Sequence, residues 1–242
     1  MLVLLFFLTS VVGVVTGSNS LVTVPVMFQF GVDEKVAVAT NMFGLTFMAI
    51  GATIPFVRQG SVEFKKLTPL VVLTIIGSAI GALLVGVITN QSIKLIVTVA
   101  MIAMVLFTLI GPHRAINGES RVTYISPIAY VLTFVLAIYG GLYSGGYVTV
   151  LTATFVAFAS MSFGRAVAAT KFVNVFSSGI ATLIFMWQGL VDYRLGIILA
   201  ISMFAGAFVG AHYATKMNEV WLKRIFIATV FLLALKLVID ML

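Results

Sequence analysis

The chain has 242 residues, of which 62% are hydrophobic and 9% are charged, and its mean hydropathy is +1.21. Soluble domains carry about 25% charged residues, so this composition excludes a water-soluble globule and leaves no stretch for a soluble domain. The formal net charge of +7 does not indicate nucleic-acid binding, because lysine and arginine gather in the cytoplasmic loops of membrane proteins.

Polar breaks divide the chain into ten apolar segments. About 20 apolar residues are needed to cross a bilayer, so the first two segments of each half are too short to span it comfortably. We interpret each of these pairs as a broken or re-entrant helix, followed by three transmembrane helices. In chain order the segments cover 2–16, 20–31, 36–57, 67–89 and 92–111, then 124–142, 147–160, 165–187, 194–215 and 220–241.

The pattern predicts an all-α polytopic membrane protein with one integral membrane domain. Residues 1–111 form its first repeat, 112–123 a basic cytoplasmic linker and 124–242 its second repeat. The apolar N-terminal stretch lacks the basic start of a signal peptide, so we expect it to be part of the mature structure.

Two stretches, residues 36–66 and 166–195, are versions of one pattern. Thr40 follows Val-Ala-Val-Ala and Thr170 follows Ala-Val-Ala-Ala. The two threonines lie 130 positions apart, which sets Asn41 against Lys171. The later Gln-Gly motifs, which start at residues 59 and 188, lie 129 positions apart. Duplicated membrane units with polar residues at matched depths are typical of secondary transporters.

Matched glycines support the duplication. Gly77 and Gly81 correspond to Gly206 and Gly210, and each pair forms a small-xxx-small face that lets helices approach closely. Such faces serve internal packing or a homodimer equally well.

An odd number of crossings in each half makes the second half enter from the opposite side, so we expect inverted-topology repeats. The loop charges agree with this topology, because nine basic residues fall on one side and four on the other. The basic side is the cytoplasmic side, which predicts that both termini are extracytoplasmic. The nine are Arg58, Lys65, Lys66, Arg114, Arg121, Arg165, Lys216, Lys223 and Arg224; the four are Lys35, Lys94, Arg194 and Lys236.

Enzyme chemistry finds little support. The two histidines, His113 and His212, have no second ligand at metal spacing, and the acidic residues fall at loops or segment ends. The chain contains no cysteine, which rules out disulfides and thiolate chemistry. We therefore expect no enzyme activity, no cofactor and no metal.

Lys171 is the residue most suited to bind a ligand. It follows Arg165 by six positions, which places it about 9 Å into a helix. A lysine at this depth must reach the interface, pair, or face a polar cavity. No carboxylate is near in sequence, so an anionic substrate is one candidate partner. The alternative is that Lys171 extends to the cytoplasmic interface and anchors the helix.

Other polar residues share this region. Asn41 is the matched position of the first repeat, and Asn174 lies on the same helical face as Lys171. Thr40 and Thr170 are weaker candidates, because a helical threonine often bonds its own i−4 carbonyl.

The small-residue breaks provide the other half of the predicted site. A broken helix exposes backbone N–H groups at the start of its second part, and such ends bind anions. The alternative is a close helix crossing built from small residues. The residues expected to flank a substrate are Asn19, Ser20, Gly145, Gly146 and Tyr147.

The site as a whole is electropositive and near the membrane midplane, which favours an anion with several acceptor oxygens. An inside-negative potential of 100 mV drives a divalent anion outward by about 4.6 kcal/mol. No carboxylate lies mid-segment to carry a coupled proton. We therefore expect export.

At these motifs the chain resembles the TauE/SafE family of sulfite-exporter-like membrane proteins, also called the TSUP family, over essentially its whole length. The resemblance implies transport of sulfite, thiosulfate, sulfonates or sulfoacetate-like anions across the prokaryotic plasma membrane. The chain departs from the family at 18–20, where Ser-Asn-Ser replaces consecutive glycines; the added side chains should narrow the cavity or contact substrate. The motifs are Gly13–Pro25, Ala37–Asn41, Gly60–Phe64, Gly140–Tyr147, Ala168–Asn174 and Gly189–Tyr193.

We therefore expect an inner-membrane permease that exports a sulfur-containing anion. Its partners are then a small anionic substrate and the lipid bilayer, without nucleic acid and with a homodimer as an option. Two alternatives stay open: ion-coupled uptake of a small organic anion, and a membrane scaffold that transports nothing.

Overall fold

The computed structural model of the protein describes residues 2–17, 19–110 and 125–228, and all regular secondary structure in these ranges is helical. The predicted linker at 112–123 and the last predicted segment beyond residue 228 lie outside them. The helices of the first half are α1 (Leu2–Thr16), α2 (Ser20–Gln29), α3 (Glu34–Arg58), α4 (Phe64–Val87) and α5 (Asn90–Ile110). Those of the second half are α6 (Pro127–Leu142), α7 (Tyr147–Phe158), α8 (Phe163–Trp187), α9 (Tyr193–Ala214) and α10 (219–228).

The predicted all-α membrane architecture is confirmed. Helices α3, α4, α8 and α9 are, within the described ranges, long and apolar enough to cross a membrane. Helices α1, α2, α6 and α7 are apolar but shorter, with 10 to 16 residues each. The predicted segments agree with the observed helices to within three residues at every end that the structure describes.

Local sequence signals explain where the long helices begin and end. The Asp33 carboxylate caps α3 by accepting from the backbone N–H of Lys35 at 3.0 Å, and Asp192 caps α9 in the same way through Leu195 N at 3.1 Å. Helices α3 and α8 each end before a glycine in the left-handed region, Gly60 (φ 73°) and Gly189 (φ 69°). Only glycine adopts this conformation without strain, so both helices stop at the same point of the repeated pattern.

The third, fourth and fifth helices of the two halves start 129 positions apart. Helices α3 and α8 start at Glu34 and Phe163 and end at Arg58 and Trp187, so both ends obey this offset. The starts of α4 and α9, and those of α5 and α10, obey it as well. This register corrects the sequence alignment of the Ala-Thr motif, which used 130.

Side-chain contacts agree with the corrected register. The Thr23 hydroxyl donates to Asn41 Oδ1 at 2.6 Å, and 129 positions later Thr152 and Thr170 share a hydrogen bond of 3.1 Å. Asn41 therefore corresponds to Thr170, and Lys171 corresponds to the buried Met42. The Ala-Thr motif misled because alanine is common in both helices, and a shift by one residue rotates a helix face by about 100°.

The predicted small-residue faces serve internal packing. A Cβ atom on Gly81 of α4 would overlap the carbonyl oxygen of Ile138 in α6. A Cβ atom on Gly210 of α9 would overlap the carbonyl oxygen of Val11 in α1. The fourth helix of each half thus receives the first helix of the other half at backbone contact.

Helices α3 and α8 pack against each other, and each also packs against the fourth helix of the other half. They are the most buried of the four long helices, with 72% and 61% of their apolar windows inside the protein. Polar residues in the middle of α3 and α8, such as Asn41 and Lys171, are therefore placed in the interior, away from lipid.

One ion-pair group ties the loop before α4 to the second half. The Glu63 carboxylate pairs with Lys66 Nζ at 2.5 Å and with Arg165 Nη1 at 3.3 Å. The hydrogen bond from Lys66 is the main cause that holds the pKa of Glu63 below its usual value. All three side chains are more than 40% exposed, so water and salt screen the interaction.

We expect Glu63→Gln to lower the free energy of unfolding by less than about 1 kcal/mol, because exposed ion pairs contribute little. Denaturant titration in detergent, at low and high salt, measures the difference from the wild type. The wild-type advantage should be present above the pKa of Glu63 in the unfolded chain and disappear as the pH falls through its lowered value in the folded protein. A salt-independent loss of several kcal/mol would contradict this interpretation.

Candidate functional site

The two helix breaks lie against each other in the interior. Ser20 at the start of α2 and Ser144 before α7 share a hydrogen bond of 2.9 Å between their hydroxyls. Tyr143 OH donates to the Ser20 carbonyl at 3.1 Å, and Thr149 Oγ1 donates to the Thr16 carbonyl at 2.5 Å. The breaks therefore form one continuous polar region between the halves.

A small cavity lies where the two breaks face α3 and α8. Its volume is ≈ 10 Å³, about the room that one water molecule needs. Four predicted site residues line it, namely Asn19, Ser20, Lys171 and Asn174. The other lining residues are Gly13, Gly17, Leu45, Met48, Ala49, Ser144 and Val148.

Lys171 points into this region. Only 3% of the residue is exposed, and its Nζ donates to the Gly13 carbonyl at 2.9 Å. Gly13 lies in the last turn of α1, where the helix dipole presents its negative end to the cation. The ammonium is thus directed at the break, away from the lipid interface.

Lys171 has no carboxylate partner within the described ranges, where both ion pairs involve Glu63. An ammonium has three N–H donors, and one of them contacts Gly13, so two are left for a ligand. The Gly13 carbonyl also accepts from the Gly17 backbone N–H at 2.9 Å, so it stays paired when the lysine leaves. Lys171 can therefore exchange its hydrogen bond to the Gly13 carbonyl for one to an anion without leaving that carbonyl unpaired.

Asn174 adds a second polar group to the cavity. Its residue is 5% exposed, and its side-chain amide makes no hydrogen bond within the part of the chain that the structure describes. It lies one helical turn after Lys171, on the same face of α8. The amide offers both donors and an acceptor to a ligand beside the ammonium.

Asn41 does not line the cavity but contacts Ser20, which does. Its Nδ2 donates to Ser20 Oγ at 2.9 Å, and its Oδ1 accepts from Thr23 at 2.6 Å. It therefore holds the Ser20 hydroxyl in place and does not line the cavity.

We expect Asn41→Ala to lower the free energy of unfolding by about 1–3 kcal/mol, because it leaves the buried hydroxyls of Thr23 and Ser20 without this partner. Unfolding in detergent, followed by the loss of helicity, measures the change. Gln91→Ala, which removes an exposed amide on α5, is the control and should leave the stability unchanged. Equal stabilities for the two variants would contradict the orienting role.

The two predicted threonines bond to protein groups. Thr40 Oγ1 accepts from the backbone N–H of Asp192 at 3.0 Å, which ties α3 to the start of α9. Thr170 Oγ1 donates to the Val167 carbonyl at 2.9 Å and also contacts Thr152. Neither threonine is among the residues that line the cavity.

The second break places its residues around the cavity wall. Gly146 adopts a left-handed conformation (φ 79°) that starts α7, and the Gly145 carbonyl accepts from Tyr139 OH. Tyr147 is fully buried, and its ring packs on Gly140. These residues shape the break, whereas Ser144 reaches the cavity.

Sequence reasoning missed Ser144, Gly13 and Met48 as lining residues. Ser144 directly precedes the Gly-Gly pair that marks the second break, so a polar residue at that boundary was an available signal. Among the described residues, no group of three His, Cys, Asp or Glu side chains is placed to hold a metal ion.

Comparisons with known proteins identify relatives of similar length. The family model described as Sulfite exporter TauE/SafE matches residues 2–237. A probable membrane transporter protein, ORF9, of Sinorhizobium sp. is 28% identical over 97% of this chain and 90% of its own length. The probable membrane transporter protein YfcA of Escherichia coli K12 is 24% identical over 98% of this chain and 89% of its own length. No solved structure matches the chain.

Proposed function

Because the chain belongs to the TauE/SafE sulfite exporter family, it is a membrane transporter, and we propose that it is a permease for a small sulfur-containing anion. The substrate class comprises sulfite, thiosulfate, sulfonates and sulfoacetate-like compounds. We further propose that the protein exports this anion across the prokaryotic inner membrane.

The observation that carries the proposal is the buried side-chain nitrogen of Lys171 at a cavity between two helix breaks. A cation inside a membrane protein is costly unless it is paired, and such residues mark substrate pathways. Within the described residues the carbonyl of Gly13 is its hydrogen-bond partner, and a carbonyl carries only a partial charge. An anion entering the cavity would supply the full counter-charge.

The other polar groups favour an anion with several acceptor oxygens. The amide of Asn174 and the hydroxyls of Ser20 and Ser144 all reach the same cavity as Lys171. A sulfur oxyanion or a sulfonate has two or more oxygens that accept from such donors at one time. A larger apolar anion would bury these donors without acceptors.

Transport requires the cavity to open, because ≈ 10 Å³ holds about one water molecule and no oxyanion. We propose that residues 1–111 and 124–242 are inverted repeats, with both termini extracytoplasmic, that rock against each other around the breaks. The exchanged packing of α1 on α9 and of α6 on α4 supports this proposal. The loop charges support the orientation.

The direction follows from the charge balance. Moving one negative charge outward across an inside-negative potential of 100 mV is favourable by about 2.3 kcal/mol. The described carboxylates, those of Asp33, Glu34, Glu63, Asp192 and Glu219, lie at loops or helix ends. They are therefore poorly placed to carry a coupled proton through the membrane, which favours export.

Efflux from proteoliposomes tests the proposal. Vesicles containing the purified protein are loaded with labelled sulfite, and efflux is measured with and without an imposed inside-negative potential. We expect protein-dependent efflux that the potential accelerates. Uptake that requires an ion gradient would replace export by coupled uptake, and no flux of sulfite, thiosulfate or sulfonates would favour a scaffold.

A further inference from the structure

Asn19 presents an unused hydrogen-bond acceptor to the cavity. The residue is 4% exposed and lines the cavity, and its Oδ1 has no hydrogen-bond partner within the described ranges. An asparagine that precedes a helix usually accepts from the first backbone N–H groups of that helix. Here the backbone of Asn19 is already helical (φ −53°, ψ −48°), so its side chain makes no capping bond.

The orientation of this amide follows from its other contact. Asn19 Nδ2 donates to the thioether sulfur of Met48 at 3.5 Å. A thioether can only accept, so the reverse orientation would set two acceptors against each other. The carbonyl oxygen of the amide is therefore the acceptor that is left for a ligand.

The cavity thus combines N–H donors on Lys171 with one buried acceptor on Asn19. A fully deprotonated oxyanion has acceptors only, and it would leave Oδ1 unpaired beside its own lone pairs. An oxyanion that keeps one O–H satisfies both sides, because its charged oxygens accept from Lys171 while its O–H donates to Asn19.

We propose that Asn19 makes the site select a singly protonated oxyanion, such as hydrogen sulfite, over the dianion of the same compound. This inference rests on the proposed function, since it names the form of the anion that the same site binds. Asn19, which stands where glycine is common in the family, then determines which protonation form of the anion binds.

The selection has a consequence for coupling. A singly protonated anion carries one negative charge, and its proton leaves the cell on the same oxygen and is released outside by ordinary dissociation. No bond other than O–H changes, and no protein carboxylate needs to shuttle the proton. The charge moved for each sulfite is then one and not two.

A comparison of Asn19→Ala with the wild type tests the selection. Sulfite efflux is measured at equal total sulfite, below and above the pKa of free hydrogen sulfite. We expect the wild type to exceed the variant by about tenfold at the lower pH, where the O–H is present, and by little at the higher pH. Gln91→Ala, at an exposed position on α5, should follow the wild type at both.

The comparison of variant with wild type also addresses other groups near the cavity whose protonation could affect the flux. Lys171 of α8 is the titratable residue that lines the cavity in the described chain, and Tyr143 OH contacts Ser20 behind it. The lining residues of α1 and α3 do not titrate. Both groups are present in the variant and the wild type, so a change of charge on either group that does not depend on Asn19 scales both fluxes alike.

Three results would overturn the inference. A ratio of wild-type to variant flux that is equal at both pH values would mean that Asn19 is structural or that a bound water occupies its Oδ1. Two charges moved per sulfite, measured as current against labelled flux in the wild type, would exclude the protonated form even if Asn19→Ala failed to fold. A wild type without anion flux at any pH would refute the proposed function itself.

Discussion

Lys171→Ala is expected to lower sulfite efflux by roughly 100-fold or more in a protein that still folds. The anion would be buried without its counter-charge, and losing one member of a buried charge pair costs about 3–5 kcal/mol. The empty protein loses less, since the Gly13 carbonyl keeps its bond to the Gly17 N–H. The variant should therefore be folded and inactive.

Two controls sharpen this prediction. Lys94→Ala removes a lysine from the exposed face of α5 and should transport like the wild type. Lys171→Met keeps the volume of the side chain and should be as inactive as Lys171→Ala, which separates charge from packing. Both are measured as initial efflux rates from proteoliposomes of equal protein content. Normal efflux in Lys171→Met would remove Lys171 from the binding site.

Alanine at Gly81 or Gly210 is expected to prevent correct packing of the two halves. The new methyl group would overlap a backbone carbonyl oxygen, that of Ile138 or of Val11, and backbone cannot move aside as a flexible side chain can. Overpacking of this kind costs about 1–3 kcal/mol or more. We expect a large fall in the yield of monodisperse protein and in the free energy of unfolding in detergent.

Gly179→Ala is the matched control, because Gly179 is also a helical glycine but has no atom within 4 Å of the position of a Cβ. Alanine there should be neutral or stabilising by up to about 1 kcal/mol. Equal stability of the Gly81 and Gly179 variants would refute the contact between α4 and α6. A severe effect at Gly81 with none at Gly210 would refute the equivalent packing of the halves.

The helices could be predicted almost residue by residue because each boundary has a local cause. The segment predicted at 2–16 is α1, and the glycines at 60 and 189 stop α3 and α8 where the apolar runs end. In a membrane protein, the length of an apolar run and the residues that stop a helix determine where that helix begins and ends. Little depends on distant contacts.

The pairing of residues at the Ala-Thr motif needed the structure. Sequence letters set Asn41 against Lys171, whereas helix ends and the Thr23–Asn41 and Thr152–Thr170 contacts set Asn41 against Thr170. A single-residue error is invisible in a pattern of alanines, but it moves a side chain to another face of the helix.

The site was predictable in part for the same reason. Lys171 stands out in sequence because a buried charge is costly wherever it lies. The unpaired oxygen of Asn19 depends on the backbone angles of one residue, and the reach of Ser144 depends on how two breaks from distant parts of the chain meet. Neither feature can be predicted from the residues that surround it in the sequence.

A structure of the wild-type protein with bound sulfite tests the central claim most directly. We expect the anion in the cavity between the breaks, within about 3 Å of Lys171 Nζ, with Asn19 and Asn174 as further contacts and the bond between Lys171 and Gly13 broken. An anion bound elsewhere, with Lys171 still donating to the Gly13 carbonyl, would contradict it.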